Sequence, residues 1–331
     1  MRFMHCRWIV LYLVGLTFLF LSAQAHAQKP QVVGWIPVYG VEKSMQALQE
    51  NPHIAKGLTR IGLQFWNPSP DGKSVVLAPV DKSGRRLMPA DVKRVIAWAK
   101  RHQIQVLLTV YNNSQVLNHW DWSLAQRAFR DHPNEFIASL IAVMNEYSLD
   151  GVDLDLEGEG DFEGDRASYA KFVRSLSAAL KKQQKLLTID SFHSPCANAP
   201  NMAWWGDWLG YVDAIHSMGY QDLYEGSTAS FRPEGKTVCE NGAAIFRYSW
   251  QLAYGQRLGY RADQIVMGFP TWLAKWGEGG LGATISAHLR EVEVLGAGVA
   301  LWDLQLSAAE WRTPQSWAQL QRLRSHKSRV R

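Results

Sequence analysis

The sequence predicts an α/β fold, a single (β/α)8 TIM barrel without a large α+β insertion. Three observations lead there. Eight short apolar runs alternate with helical stretches, an order that favours a parallel sheet with right-handed crossovers. The length of 331 residues suits one closed barrel. The fourth run carries a row of acids whose last member, Glu157, falls at the strand's C-terminal end, where barrel enzymes keep their catalytic groups.

The first buried strand is read over 31–38 from Val32, Val33, Trp35 and Ile36, stopping at Pro37 and Gly40. A short helix follows over 41–50 and a second strand over 59–65. The second strand runs into Trp66-Asn67-Pro68-Ser69-Pro70-Asp71-Gly72, which is turn chemistry, and the chain then makes a longer excursion to Met88 that suits a small hairpin. Pro89 opens a helix, with Val92, Val95, Ile96 and Ala99 on one face. Ile104 to Val110 is a continuous apolar strand, the pattern of a parallel strand covered on both sides. Tyr111-Asn112-Asn113-Ser114 reads as a loop, and Pro133 begins the next helix.

After the acidic strand, a helix is expected over 166–182, strand five over 186–190 and strand six over 212–220. A helix over 245–258 leads to strand seven over 265–270. A helix over 285–295, strand eight over 298–302 and a last helix over 315–323 complete the count. The basic stretch 322–331 reads as a solvated tail.

The N-terminus has the form of an export signal over 1–27. Arg2 and Arg7 precede an apolar run from Trp8 to Leu21, and Ala25-His26-Ala27 supplies small residues for cleavage. An uncleaved anchor is the alternative. The run is short for a membrane span, so no stable span is expected once it is removed. Cleavage takes the two arginines from a formal charge of +5, leaving a mildly basic body in which no nucleic-acid partner is read. The expected location is secreted or periplasmic. Cys6 leaves with the signal. In an oxidising compartment the remaining pair, Cys196 and Cys239, reads as a disulfide, with two free thiols as the alternative. Closing that loop would stabilise by about 3–4 kcal/mol in the chain-entropy model. Neither cysteine has a neighbour at zinc spacing, and no metal or organic cofactor is expected.

The chain is organised around Leu149-Asp150-Gly151-Val152-Asp153-Leu154-Asp155-Leu156-Glu157-Gly158. Side chains alternate along a strand, so Asp153, Asp155 and Glu157 share one face and Val152, Leu154 and Leu156 the other. Three carboxylates facing the interior of a sheet repel one another, and burial penalises their charge. Such a row could be a solvated acidic edge or a hard-cation site for calcium or magnesium. The third reading is acid–base chemistry, with neighbouring acids keeping one member protonated.

The run resembles the signature of glycoside hydrolase family 18, Asp-x-x-Asp-x-Asp-x-Glu, at all four acidic positions: Asp150, Asp153, Asp155 and Glu157. Strand six ends Ser217-Met218-Gly219-Tyr220-Gln221-Asp222, where Met218 and Tyr220 match the family's Met-x-Tyr element and Gln221 stands at its acidic or amide position. Trp302, ending strand eight, matches the tryptophan that floors the catalytic subsite. The segment 267–272 resembles the family's glycine-containing strand seven, which makes Trp272 and Trp276 candidates for sugar stacking. Trp35 and Asn112 are further binding candidates. Trp66, Trp120, Trp122, Trp204, Trp205 and Trp208 fall in or beside predicted loops, as glycan subsites or as core, while Trp98 lies within a helix and packs there.

The resemblance implies one hydrolase domain over 28–321 and substrate-assisted cleavage of glycans containing N-acetylglucosamine. Glu157 would be the proton donor, Asp155 would orient the acetamido group, Asp153 would tune Asp155, Tyr220 would hold the acetamido carbonyl, and Asp150 would support the strand. The implied substrate is chitin or its oligosaccharides. Peptidoglycan, a glycoprotein glycan and non-catalytic sugar binding are the alternatives, and a cation-dependent hydrolase on the same barrel is a further one. Two departures bear on the substrate. Strand three ends Thr109-Val110-Tyr111-Asn112 where many members have Ser-x-Gly-Gly, and the asparagine version looks more like members that act on bacterial cell walls. Gly158-Glu159-Gly160-Asp161 reads as a flexible acidic loop. The short interval between strands seven and eight implies a shallow, open cleft.

Overall fold

A computed structural model describes residues 29–80, 83–114, 119–193, 198–218, 248–272 and 281–325. The signal segment 1–27, Cys196, Tyr220, Gln221, Cys239 and Trp276 lie outside the described residues, as do 326–331.

Eight parallel strands close into a barrel: β1 (Val32–Pro37), β2 (Arg60–Pro68), β4 (Gln105–Tyr111), β7 (Gly151–Asp155), β8 (Leu186–Phe192), β9 (Ala214–Met218), β10 (Ile265–Pro270) and β11 (Gly298–Trp302). The first strand pairs with both β2 and β11, which closes the sheet. The hairpin expected before Met88 is β3 (Val75–Leu77), antiparallel to the end of β2. A second hairpin, β5 (Asn113–Ser114) with β6 (His119–Trp120), stands where the sequence suggested only a loop.

Helices wrap the barrel: α1 (Val41–Glu50), α2 (His53–Gly57), α3 (Pro89–Arg101), α4 (Trp122–Gln126), α5 (Pro133–Glu146), α6 (Arg166–Lys181), α7 (Tyr248–Leu258), α8 (Leu281–Leu295) and α9 (Pro314–Ser325). Their starts follow local chemistry. Pro89 and Pro133 open α3 and α5, where a missing N–H costs nothing. Asp91 accepts from the Met88 N–H at 3.2 Å, closing the first turn of α3, and Asp121 caps α4 through the Leu124 N–H at 3.3 Å. The last helix runs past position 321 into the stretch read as a tail. Leu323, 1 % exposed, packs into the core there, because a helical register carries its apolar stripe into the layer beside the barrel.

Two separate apolar clusters follow from strand alternation. The large one lies between the sheet and the helices and holds Val32, Ile36, Ile61, Leu63, Val106, Leu108, Val152, Leu154 and Leu156. The small one, Val33, Trp35, Ala214, Val266 and Ala300, fills part of the barrel interior. Gln64, Thr109, Asp153, Asp155, Thr188, Asp190 and His216 are all buried and have the inward parity, so the interior is largely polar. Asp150, which precedes β7, points its carboxylate at the neighbouring strand and accepts from the Val106 N–H at 2.7 Å.

Candidate active site

A cavity of about 640 Å³ opens at the C-terminal end of the barrel. Asp155 and Glu157 line it, and so do Tyr39, Gln64, Tyr111, Asn113, Trp120, Glu159, Asp190, Phe192, His193, Asn198, Met218, Trp272 and Trp302. Asp155, Glu157, Met218, Trp272 and Trp302 are thus brought together as the sequence suggested.

Asp153 lies one layer deeper, wholly buried. Trp35 Nε1 and Thr109 Oγ1 each donate to its Oδ2 at 2.9 Å, and the Thr188 hydroxyl donates to Oδ1. His216 Nδ1 stands 3.2 Å from Oδ1. Burial alone would raise this carboxyl, but the His216 ring and the donors from Thr188 and Trp35 outweigh it and hold the group below the usual carboxylate range. Asp153 is the ionised member of the row.

Asp155 is 2 % exposed and accepts from Gln64 Nε2 at 2.6 Å, while its Oδ1 has no hydrogen-bond partner among the described residues. Burial pushes its carboxyl up to about 6, with the Asp153 charge adding to the rise. Glu157 is half-buried at the cavity wall, and burial together with the adjacent Asp155 raises it well above an ordinary glutamate. The row therefore grades from an ionised base at the bottom to a protonated acid at the mouth. That arrangement suits a group that gives up a proton and takes one back.

The backbone that carries Glu157 is clamped by Asn112. Asn112 Oδ1 accepts from the Glu157 N–H at 2.7 Å, and Nδ2 donates to the Glu157 carbonyl at 2.7 Å and to the Asp121 carbonyl at 2.9 Å. Asn112 is fully buried and off the cavity wall, so its expected role in binding gives way to a positioning one. The amide is consumed by main-chain bonds that end strand order after β4 and β7. Trp35 likewise supports from below. It is 1 % exposed, spends its N–H on Asp153, and packs 6.0 Å from the Trp302 ring between centroids. Gly62 makes room for it, since a Cβ there would lie 2.5 Å from Trp35 Cδ1.

The other tryptophans divide clearly. Trp120 lines the cavity. Trp66, Trp122, Trp204, Trp205 and Trp208 are buried and belong to the outer core. The loop-proximal indoles fill the space between sheet and helices, and three of them bond there: Trp122 Nε1 to Asp165 at 2.9 Å, Trp204 Nε1 to Glu163 at 3.2 Å and Trp205 Nε1 to Ser191 at 2.7 Å.

The acidic loop after the donor is tied down rather than loose. Gly158 exchanges backbone bonds with Ala199 at 2.8 and 2.9 Å, and Asn198 bonds Gly160 through both its N–H, at 2.6 Å, and its side chain, at 3.2 Å. Phe162 and Trp122 would lie 2.7 and 2.8 Å from a Cβ at Gly158, so only glycine fits beneath them.

Sequence reasoning passed over Asp190 and His216. Both interrupt apolar strands at inward register, which is the available signal. Asp190 lies 2.7 Å from His216 Nδ1, and burial and the Asp153 charge raise its carboxyl well above normal. Donor atoms of Asp153, Asp190 and His216 lie within 4.8 Å of one another, a spacing that a cation could also use. The separations of 2.7 and 3.2 Å are hydrogen-bond lengths, and the imidazole Nδ1 fills the gap between the carboxyls.

Fold and site together define the class: a (β/α)8 barrel of the glycosidase type, with its acids at the C-terminal mouth. The family model for glycosyl hydrolases family 18 matches residues 31–316, and the chain belongs to that family. It is 26 % identical over 201 residues to an uncharacterized glycosylase, YvbX, of Bacillus subtilis (strain 168), across 59 % of this chain and 55 % of that protein. The match thus spans little more than half of the relative. The fold is similar to that of a class V chitinase from Pseudomonas fluorescens Pf-5, at TM-score 0.65 and 18 % identity, covering 88 % of this chain and 98 % of the other. It is also similar to the spore cortex-lytic enzyme SleL of Bacillus megaterium QM B1551, at TM-score 0.62 and 14 % identity, covering 88 % and 73 %.

Proposed function

We propose that this chain is an exported retaining glycoside hydrolase that cleaves β-linked N-acetylglucosamine glycans of the chitin type by substrate-assisted catalysis. The observation that carries the reading is the graded acid row: ionised Asp153 below, Asp155 held near 6, and a protonated Glu157 at the wall of the cavity. A two-carboxylate scheme would need a second acid as nucleophile, and family 18 uses the substrate's own 2-acetamido oxygen instead.

In this reading Glu157 gives its proton to the glycosidic oxygen as the bond to C1 breaks. The acetamido oxygen attacks C1 and forms an oxazolinium. Asp155 accepts from the acetamido N–H and offsets the developing charge, which its Oδ1, without a hydrogen-bond partner among the described residues, supports. Glu157, now ionised, takes a proton from water as that water opens the oxazolinium, restoring the acid with retained configuration. Trp302 offers an indole face to the sugar, and Met218 and Trp272 complete the walls. Tyr220 is assigned to the acetamido carbonyl on the family resemblance. The leader over 1–27 supports a secreted or periplasmic site of action.

Cell-wall peptidoglycan is the second reading, favoured by the strand-three ending Tyr111-Asn112, which stands where many members have glycines and resembles the version of members that act on bacterial cell walls. Parallel assays on chitin oligosaccharides, peptidoglycan and glycoprotein glycans separate the two, with the fastest turnover expected on the chitin series. Glu157→Gln should lower kcat by about 10³-fold or more while oligosaccharide binding persists. Wild-type-like hydrolysis by that variant would overturn the assignment. Turnover should survive EDTA, and its loss would favour a cation-dependent hydrolase.

A further inference from the structure

Asp190 is a cavity-lining carboxyl with no part in the scheme above. It sits on β8 directly across from His216 on β9, and both side chains are buried, at 2 % and 0 % exposure. His216 Nδ1 lies 2.7 Å from Asp190 Oδ1 and 3.2 Å from Asp153 Oδ1, so one ring nitrogen serves two carboxyl oxygens. A proton on Nδ1 satisfies both. A bare Nδ1 would set its lone pair against the ionised Asp153 oxygen 3.2 Å away. The Trp35 ring meets the imidazole edge-on, with centroids 5.0 Å apart and planes at 85°, and keeps it from turning.

Among the described residues the charged and titratable groups around this ring are few. β7 presents Asp153 and Asp155, with Glu157 and Glu159 just beyond it, β8 presents Asp190, and the buried Tyr169 of α6 interacts with Asp190, Asp155 and Asp153. Arg60 of β2 acts on Asp153 from the deeper end of the barrel. β1, β4 and β10 present Trp35, Thr109 and Val266, which carry no charge.

We propose that Asp190 and His216 form a buried acid–imidazole dyad that holds Asp153 ionised, and that Asp190 is thereby a positioning residue for the proton on Glu157. The inference rests on the hydrolase reading for its catalytic consequence and on geometry alone for the dyad. Asp190 also acts directly: its negative charge, when it ionises, favours the protonated form of Glu157. Removing that charge should let Glu157 lose its proton at lower pH.

The test has two arms. In wild-type protein with 15N-labelled histidine, the His216 resonances are assigned by their disappearance in His216→Gln. Nδ1 should be a protonated ring nitrogen, as its two carboxyl neighbours require. In Asp190→Asn the Nδ1 resonance should move, and the basic limb of the kcat/KM profile should shift to lower pH by about half a unit or more. KM on the acid side of the optimum should stay within about twofold. Asp190→Ser repeats the measurement if the asparagine variant fails to fold. A wild-type Nδ1 without a proton overturns the dyad, as does an unmoved resonance in a folded Asp190 variant. A uniform loss of kcat at every pH, with the limb in place, overturns the positioning role. The resonance arm needs no turnover. A protein with the dyad that hydrolyses none of the three glycan classes would remove the proposed function and leave the dyad standing.

Discussion

Replacing Asn112 with alanine tests whether the donor's backbone is held as the structure indicates. The substitution deletes three hydrogen bonds, of 2.7, 2.7 and 2.9 Å, without touching the cavity wall. It strands the Glu157 N–H, the Glu157 carbonyl and the Asp121 carbonyl. The latter keeps a backbone N–H from Leu124 at 3.1 Å, so the main cost falls on Glu157. An unsatisfied buried polar group costs about 1–3 kcal/mol, so two of them, partly relieved by relaxation, should lower stability by about 2–4 kcal/mol. Misplacing the donor by a fraction of an ångström to one ångström should reduce kcat by about 10²-fold. Steady-state hydrolysis of a chromogenic N-acetylglucosamine oligomer gives kcat and KM, and urea unfolding followed by tryptophan fluorescence gives stability. The signature of a positioning residue is lost kcat at unchanged KM in protein that is folded but less stable. A raised KM with unchanged kcat would refute the argument and return Asn112 to the binding role read from the sequence.

Gly62→Ala puts a methyl 2.5 Å from Trp35 Cδ1 and 2.6 Å from Thr109 Oγ1, atoms of the two side chains that donate to Asp153 Oδ2. It should cost about 1–3 kcal/mol and lower turnover, and an unchanged Tm would contradict the packing. The pH dependence of stability has a definite sign. The folded Asp155 carboxyl sits near 6, above its ordinary 3.8, so the native state binds the extra proton and stability falls as pH rises from about 4 to about 6. Asp153, held below its ordinary value, contributes in the opposite sense: its stabilisation is present above about pH 4 and is lost on further acidification. Asp155→Asn should flatten the loss between about pH 4 and 6 in urea midpoints, and an unaltered slope would place the titration elsewhere.

Much of the fold was legible along the chain. Pro89 and Pro133 marked helix starts to the residue, and the apolar runs 265–270 and 298–302 coincide with β10 and β11. Local pattern suffices there because a parallel strand covered on both sides, or a helix with one apolar face, leaves its period in the sequence. The acid row was legible for the same reason, since alternation alone puts Asp153, Asp155 and Glu157 on one face. Small features such as α2, α4 and the rim hairpin escaped, being too short for any period to register.

The sequence by itself determined which side chains face inward, the order of the barrel and the family that its acidic strand announces. Only the tertiary structure decided what those inward groups touch. Asp190 reaches His216 from a neighbouring strand, Asn112 reaches back to the Glu157 backbone, and Trp35 gives its N–H to Asp153 across 118 positions of sequence. Strand period sets parity within one segment. The stagger between strands of a closed barrel sets which residues share a layer, and no single segment carries that information.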